Sequence, residues 1–324
     1  MARIMGRIAE WPGWNKAAAI VTTIAALAAL WFTSKSLLAT NNQYELSQQV
    51  AMSDRFQKAT EQLSSDKLDV RLSGIYLLER LAKDSAADHP TVFALLSAYL
   101  RTHTSAAQCP VESPTVTPAA DVQAVLTVIG RRAVELEAVV DRPDLSRTCL
   151  AGARMRDSNF AGVNFRETNL AYVDLNSSNL ERAQLQFAQL THAKAFRANL
   201  SKASLAVANL TGTDFMNTDL TDAFMCDANL TAARFEYVNL TEACLANTNM
   251  HSTTISVADL TGASCVHTDL TLAHLDGSNL SNVDLTGANL AGAYLFEVNL
   301  TDVNWSGVVY DSATRWPAGF TPPR

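Results

Sequence analysis

The side chains with chemistry to offer in this 324-residue chain are six histidines, five cysteines and 32 carboxylates. Their spacing forms none of the usual reactive constellations. A metal site needs three or four donors converging on one ion, and His192, His251, His267 and His274 stand apart from one another. Cys109, Cys149, Cys226, Cys244 and Cys265 show no short regular spacing, so the cysteines indicate neither a zinc site nor a disulfide framework. A single Cys109–Cys149 bridge stays open, conditional on an oxidising compartment. The tripeptides Asn-Leu-Thr and Asn-Leu-Ser at Asn199, Asn209, Asn229, Asn239, Asn279 and Asn299 match a glycosylation acceptor. They recur at fixed spacing, however, and a structural repeat accounts for them without glycosylation. No paired nucleophile and base, phosphate loop or dinucleotide fingerprint is present, so neither an enzyme nor a cofactor is expected. With 18% charged residues and a net charge of −7, the chain carries no basic footprint for direct nucleic-acid binding.

What must position these scattered groups is a period of five. From Leu145 to Trp305 every fifth residue is large and apolar with few exceptions, giving thirty-three pentads in one register. Leu280, Leu285, Leu290, Leu295 and Leu300 are a stretch without exceptions. Two residues before each centre stands a small side chain, as at Ala153, Ser158, Val163, Ala183 and Ala288, and Asn or Asp often stands one before. Five matches neither the helical nor the strand period. Four pentads per square turn would stack the centres twenty residues apart, with coils at the strand spacing of about 4.8 Å. Ala195 lies one coil below Phe215, a size compensation expected of a close-packed axis. His192 and His251 then share a face but lie three coils apart, roughly 14 Å, too far for one ion.

This pattern resembles the pentapeptide-repeat family, over about residues 143–310. The resemblance implies a mainly β fold, a right-handed quadrilateral parallel β-helix. Here it is preceded by a transmembrane helix and a small α-helical subdomain. The flanks "SDKLDVRLSGIYLLERLAKDS", "DHPTVFALLSAYLRTH", "ADVQAVLTVIGRR" and "YDSATRWPAGF" are similar to a membrane-attached bacterial subgroup. Lys194-Ala195 and Thr254-Ile255 depart locally from the pattern, and Pro143 marks its boundary. Some relatives are DNA mimics that bind a type II topoisomerase, DNA gyrase, through an acidic rod, which makes topoisomerase inhibition or protection the alternative function.

Charge is distributed unevenly along the repeat. Residues 143–202 hold eight bases and five acids, whereas 203–310 hold twelve acids and the single base Arg234. Folding the sequence into four columns sends Asp219, Asp222, Glu242, Asp259 and Asp302 to one face. Asp214, Glu236, Asp276 and Glu297 go to the next. This candidate acidic interaction face predicts a non-enzymatic scaffold that engages an unidentified protein partner.

Residues 1–40 form an N-terminal segment in which about 17–39 are apolar enough for a single-pass span, giving contact with membrane lipid. Trp11, Trp14 and Trp31 suit its interfaces. A cleaved signal peptide fits less well, because no good small-residue cleavage site follows. Arg3, Arg7 and Lys16 before the span favour a cytoplasmic N-terminus, whereas an odd cysteine count favours a reducing compartment for the rest. The side of the repeat domain is therefore left open. The expected order continues with an α-helical subdomain (41–103), a Pro-containing linker (104–120) and a capping helix region (121–142) with Asp121 as the cap. The repeat (143–310) and a C-terminal cap and tail (311–324) complete it. Asp88 before His89-Pro90 predicts a second capped helix start.

Overall fold

The computed structural model describes residues 13–109, 115–138 and 142–322. Trp11, Arg3, Arg7 and part of the linker lie outside the described residues. Two units divide the chain, Met1–Lys58 and Ala59–Arg324. Helix α1 runs from Trp14 to Leu63, 50 residues or about 75 Å at 1.5 Å per residue. Its apolar stretch is exposed on every side, with Ile20, Ile24, Leu27, Leu30 and Phe32 all more than half accessible. The hydroxyls of Thr22, Thr23 and Thr33 donate back to helix carbonyls four residues earlier, which satisfies them without water.

In the second unit, α2 (Leu68–Asp84), α3 (His89–His103) and α4 (Ala120–Gly130) pack around Ile75, Leu78, Leu96, Val125 and Ile129. Gly74 lets the end of α1 approach: a β-carbon there would fall 2.8 Å from the Ala59 carbonyl oxygen. The expected caps are not made. Asp121 sits inside the first turn of α4 behind Ala119, and Asp88 precedes α3 without a side-chain cap hydrogen bond. The Asp121 carboxylate instead accepts from Arg71 Nε and Tyr99 Oη, both at 2.7 Å, tying the three helices together. Burial pushes its pKa up. The bonds from Tyr99, Arg71 and the Val122 N–H, with the arginine charge, outweigh this and hold it below the usual carboxylate value. Burial and the bond to Asp121 push the Tyr99 phenol up to about 12.

From Asp144 onward the chain coils with a period of twenty residues, each coil bonding to the next by parallel bridges such as Asn159–Asn179 and Asn179–Asn199. Instead of the extended strands expected of a mainly β fold, the described residues contain only isolated bridges. The reason is geometric: two turn residues follow each centre, leaving too few residues per side for a strand. Centre N–H groups donate one coil onward, as from Leu180 to the Asn199 carbonyl at 2.7 Å. Phe160, Phe165, Phe215 and Phe235 are fully buried on the axis, with Phe215 and Phe235 stacked at 5.1 Å. Lys194 and Thr254 bridge like their neighbours, so the two irregular pentads leave the ladder unbroken. The second turn residue takes the left-handed conformation at nearly every corner, including β-branched Val207 (φ 59°) and Val257 (φ 55°).

The helical subdomain covers the first coil face by face. On the Phe160 side, Arg132 donates to the carbonyls of Asn159 and Ala161, while Asn159 N–H donates to the Gly130 carbonyl. On the Met155 side, the Gln123 amide accepts from Arg154 N–H at 2.9 Å and donates to its carbonyl at 2.7 Å. Ser105 bridges Thr148 on the third side, and Arg101 reaches the Asp144 carbonyl on the fourth. These contacts replace a preceding coil and protect an edge that would otherwise template aggregation. At the other end Arg315 bridges Tyr294, and Trp305, Tyr310, Trp316 and Phe320 gather into an aromatic cluster.

Four cysteines pair: in the Cys109–Cys149 bridge that the sequence left open, and in Cys226–Cys244, which runs against the expectation of no disulfide framework. Cys109 joins Cys149, tethering the linker to the first coil, and Cys226 joins Cys244; Cys265 is free and buried. The count misled because the unpaired thiol is a core centre and takes no part in the bridges. Burial pushes it up to about 12, leaving it a protonated apolar residue.

Candidate interaction surface

The residue before each centre does local structural work. Its side-chain oxygen accepts the backbone N–H two residues later, as Asn229 accepts from Thr231 at 3.1 Å, and the threonine hydroxyl adds a second bond at 2.7 Å. Asn199–Ser201, Asn209–Thr211, Asn239–Thr241 and Asn299–Thr301 repeat the pair. The apparent glycosylation motif is thus an Asx turn closed by its own hydroxyl.

The same device occupies part of the acidic face. Asp219 and Asp259 accept from Thr221 and Thr261 just as asparagines would. Asp214 and Glu236 share Arg234, at 3.5 and 3.1 Å. Asp276 accepts from Phe296 N–H and lies 3.7 Å from His274 Nδ1. Asp222, Glu242, Glu297 and Asp302 are exposed and have no cationic partner among the described residues. Asp222 and Glu242 stand directly above Arg182 and Lys202 in one corner column, where the charge changes sign. The Glu242 carboxylate leans over Gly262, where a β-carbon would lie 2.4 Å away.

Apolar groups are exposed beside these charges: Phe187, Val207 and Phe224 on one face, Tyr237 and Val257 at another corner. Sequence reasoning did not single them out, although each occupies a solvent position of its pentad. Arg166 stacks over Phe187 at 5.0 Å. Two histidines stack along the columns, His192 on Tyr172 and His274 on Tyr294, and His251 Nδ1 lies 2.7 Å from the Thr271 hydroxyl. Among the described residues no group of three or more His, Cys, Asp or Glu is placed to hold a metal.

The profile of the family "Pentapeptide repeats" matches in eight copies, which include residues 158–194, 213–251 and 263–302. The chain belongs to the pentapeptide-repeat family. This family's coil is a right-handed β-helix, whose rungs are the parallel bridges described above. Among solved structures the chain is similar to HetL, a pentapeptide repeat protein involved in heterocyst differentiation regulation from the cyanobacterium Nostoc sp. strain PCC 7120. The identity is 24%, covering 51% of this chain and 86% of HetL, with a TM-score of 0.31. It is also similar to the pentapeptide repeat protein Rfr23 from the cyanobacterium Cyanothece 51142, at 35% identity over 30% of this chain and 63% of Rfr23, with a TM-score of 0.25. QnrB1, a plasmid-mediated fluoroquinolone resistance protein, aligns at 14% identity over 50% of this chain and 86% of its own, with a TM-score of 0.29. No curated protein matches the chain.

Proposed function

We propose that this pentapeptide-repeat protein is a non-enzymatic, membrane-anchored scaffold whose acidic half recruits a protein with a basic surface. The observation that carries the reading is the set of unpaired carboxylates Asp222, Glu242, Glu297 and Asp302, beyond a basic first half. An oriented charge of this kind speeds encounter and selects partners by sign. The anchor is α1, long and apolar enough to cross a bilayer. Two disulfides support a repeat domain on the oxidising side of the membrane. Lys16 before the span and the first flanking arginines favour the same orientation. A rod so exported stands apart from cytoplasmic DNA enzymes, so the cysteine pairing weighs against the topoisomerase alternative.

Two measurements on the full chain in its membrane test the reading. Ser312 is exposed, so Ser312→Cys should react with a membrane-impermeant maleimide in intact cells; labelling only after lysis would refute export. Cross-linked capture of a defined partner should fall about tenfold when the four carboxylates are changed to amides, and should weaken with salt. Unchanged capture would sink the acidic-surface reading. Inhibition of DNA supercoiling by micromolar full-length protein in detergent would favour the DNA mimic instead.

A further inference from the structure

A second site lies away from the rod's faces, in the helical subdomain. Between α2, α3, α4 and the 3₁₀ turn Val134–Leu136 is a cavity of about 220 Å³, lined in part by Glu79, Lys83, His89, Phe93, Arg131 and Leu136. His89 is 2% exposed and packs its ring on Phe93 at 4.6 Å. Neither ring nitrogen has a hydrogen-bond partner among the described residues. A buried imidazole normally finds one, because desolvation without a replacement bond is costly. The mouth carries Lys83 and Arg131, both more than 60% exposed, around the single carboxylate of Glu79, at 2.8 and 3.9 Å. Arg132, also in the lining, is neutralised by Glu137 at 3.0 Å. Within the lining two exposed cations, Lys83 and Arg131, therefore face one carboxylate, with Glu135 on the adjoining turn the next acid near His89. Burial and the Arg132 charge lower the His89 pKa, against the pull of Glu135, so the free ring is neutral and offers an N–H donor.

We infer that this cavity is a binding site for a small organic monocarboxylate with a branched aliphatic body. Its carboxylate would accept a hydrogen bond from His89 and pair with Arg131 and Lys83 at the mouth. Its body would lie against Phe93 and Leu136. At roughly 30 Å³ per water-sized group, the volume suits about seven non-hydrogen atoms, the size of 3-methylbutanoate. The inference is independent of the acidic surface and of the membrane side.

The test uses the full chain in detergent micelles with ¹⁵N-labelled histidine, titrated with 3-methylbutanoate and, separately, with its neutral amide. One histidine ring signal, identified by its loss in His89→Gln, should shift saturably with a midpoint of about 1 mM or below. The amide should shift it far less. Arg131→Gln, a change at an exposed side chain, should weaken binding roughly fivefold while leaving the His89 signal in place. An unsaturated signal through about 20 mM acid, as from a cavity that holds only water, would overturn the proposal. Equal response to acid and amide, or indifference to Arg131→Gln, would overturn it as well.

Discussion

Replacing Arg132 with methionine should open the first coil selectively. The guanidinium is fully buried and pairs with the equally buried Glu137 at 3.0 Å. It also donates to the Ile129, Asn159 and Ala161 carbonyls. In the interior of the rod, carbonyls at these coil positions take N–H groups from the preceding coil, as Asn179 does from Phe160 and Glu181 from Gly162. Arg132 thus stands in for a missing coil. Its loss leaves a buried carboxylate without its cation, a defect costing about 3–5 kcal/mol, and uncovers edge carbonyls as well. Because each coil contacts only its neighbours, the damage should stay local. Hydrogen exchange on the full chain in micelles can read this. Exchange at Leu150, Met155 and Phe160 should quicken by about two to three and a half orders of magnitude, at 1.4 kcal/mol per decade. Leu220 and Leu240, several coils away, should hold their rates. Arg132→Met with Glu137→Gln should recover part of the protection by removing the stranded charge. A change below about tenfold at the first coil, or equal loss along the whole rod, would refute the capping role.

Two other consequences follow from the backbone and the helical network. Val207 and Val257 are β-branched residues in left-handed corners, so Val207→Asn or Val257→Asn should each raise stability by about 1 kcal/mol in urea unfolding; a loss would show that their exposed side chains pack usefully. Asp121, held below its usual pKa, stabilises the fold above the ordinary carboxylate range, and this is lost as pH falls through its folded value. Tyr99, raised from 10.0 to about 12, contributes below pH 10 what is lost as pH rises toward 12. Tyr99→Phe should therefore flatten the alkaline limb of a stability–pH curve while Asp121→Asn flattens the acid limb.

The axis of the rod could be read from the sequence because a filled core tolerates few side chains, and every fifth residue reports that constraint. The edges could not. Gln123 and Arg132 cap the first coil through tertiary contacts with Arg154 and Asn159, and nothing in local spacing marks a glutamine or arginine as a substitute for a strand. Asp88 and Asp121 show the converse: residue type and position suggested caps, but Asp121 had a stronger use in joining Arg71 to Tyr99.

The disulfide Cys226–Cys244 lies between these cases, since its separation of 18 follows from the coil itself. A residue just past one centre and a residue just before the centre one coil onward share a side of the square and differ by two less than the period. Gln186–Ser204, Thr261–Asn279 and Thr286–Asn304 are hydrogen-bonded in this same relation. Once the period of twenty is known, two cysteines eighteen apart at these pentad positions are a bridge in waiting, whatever the total count. That rule also separates the acidic residues. Those just before a centre are drawn into turns, as Asp219 and Asp259 are, whereas those two past it, as at Asp222, Glu242, Glu297 and Asp302, project from the corners. The pentad position of a carboxylate therefore decides whether its charge stabilises the coil or is available to a partner.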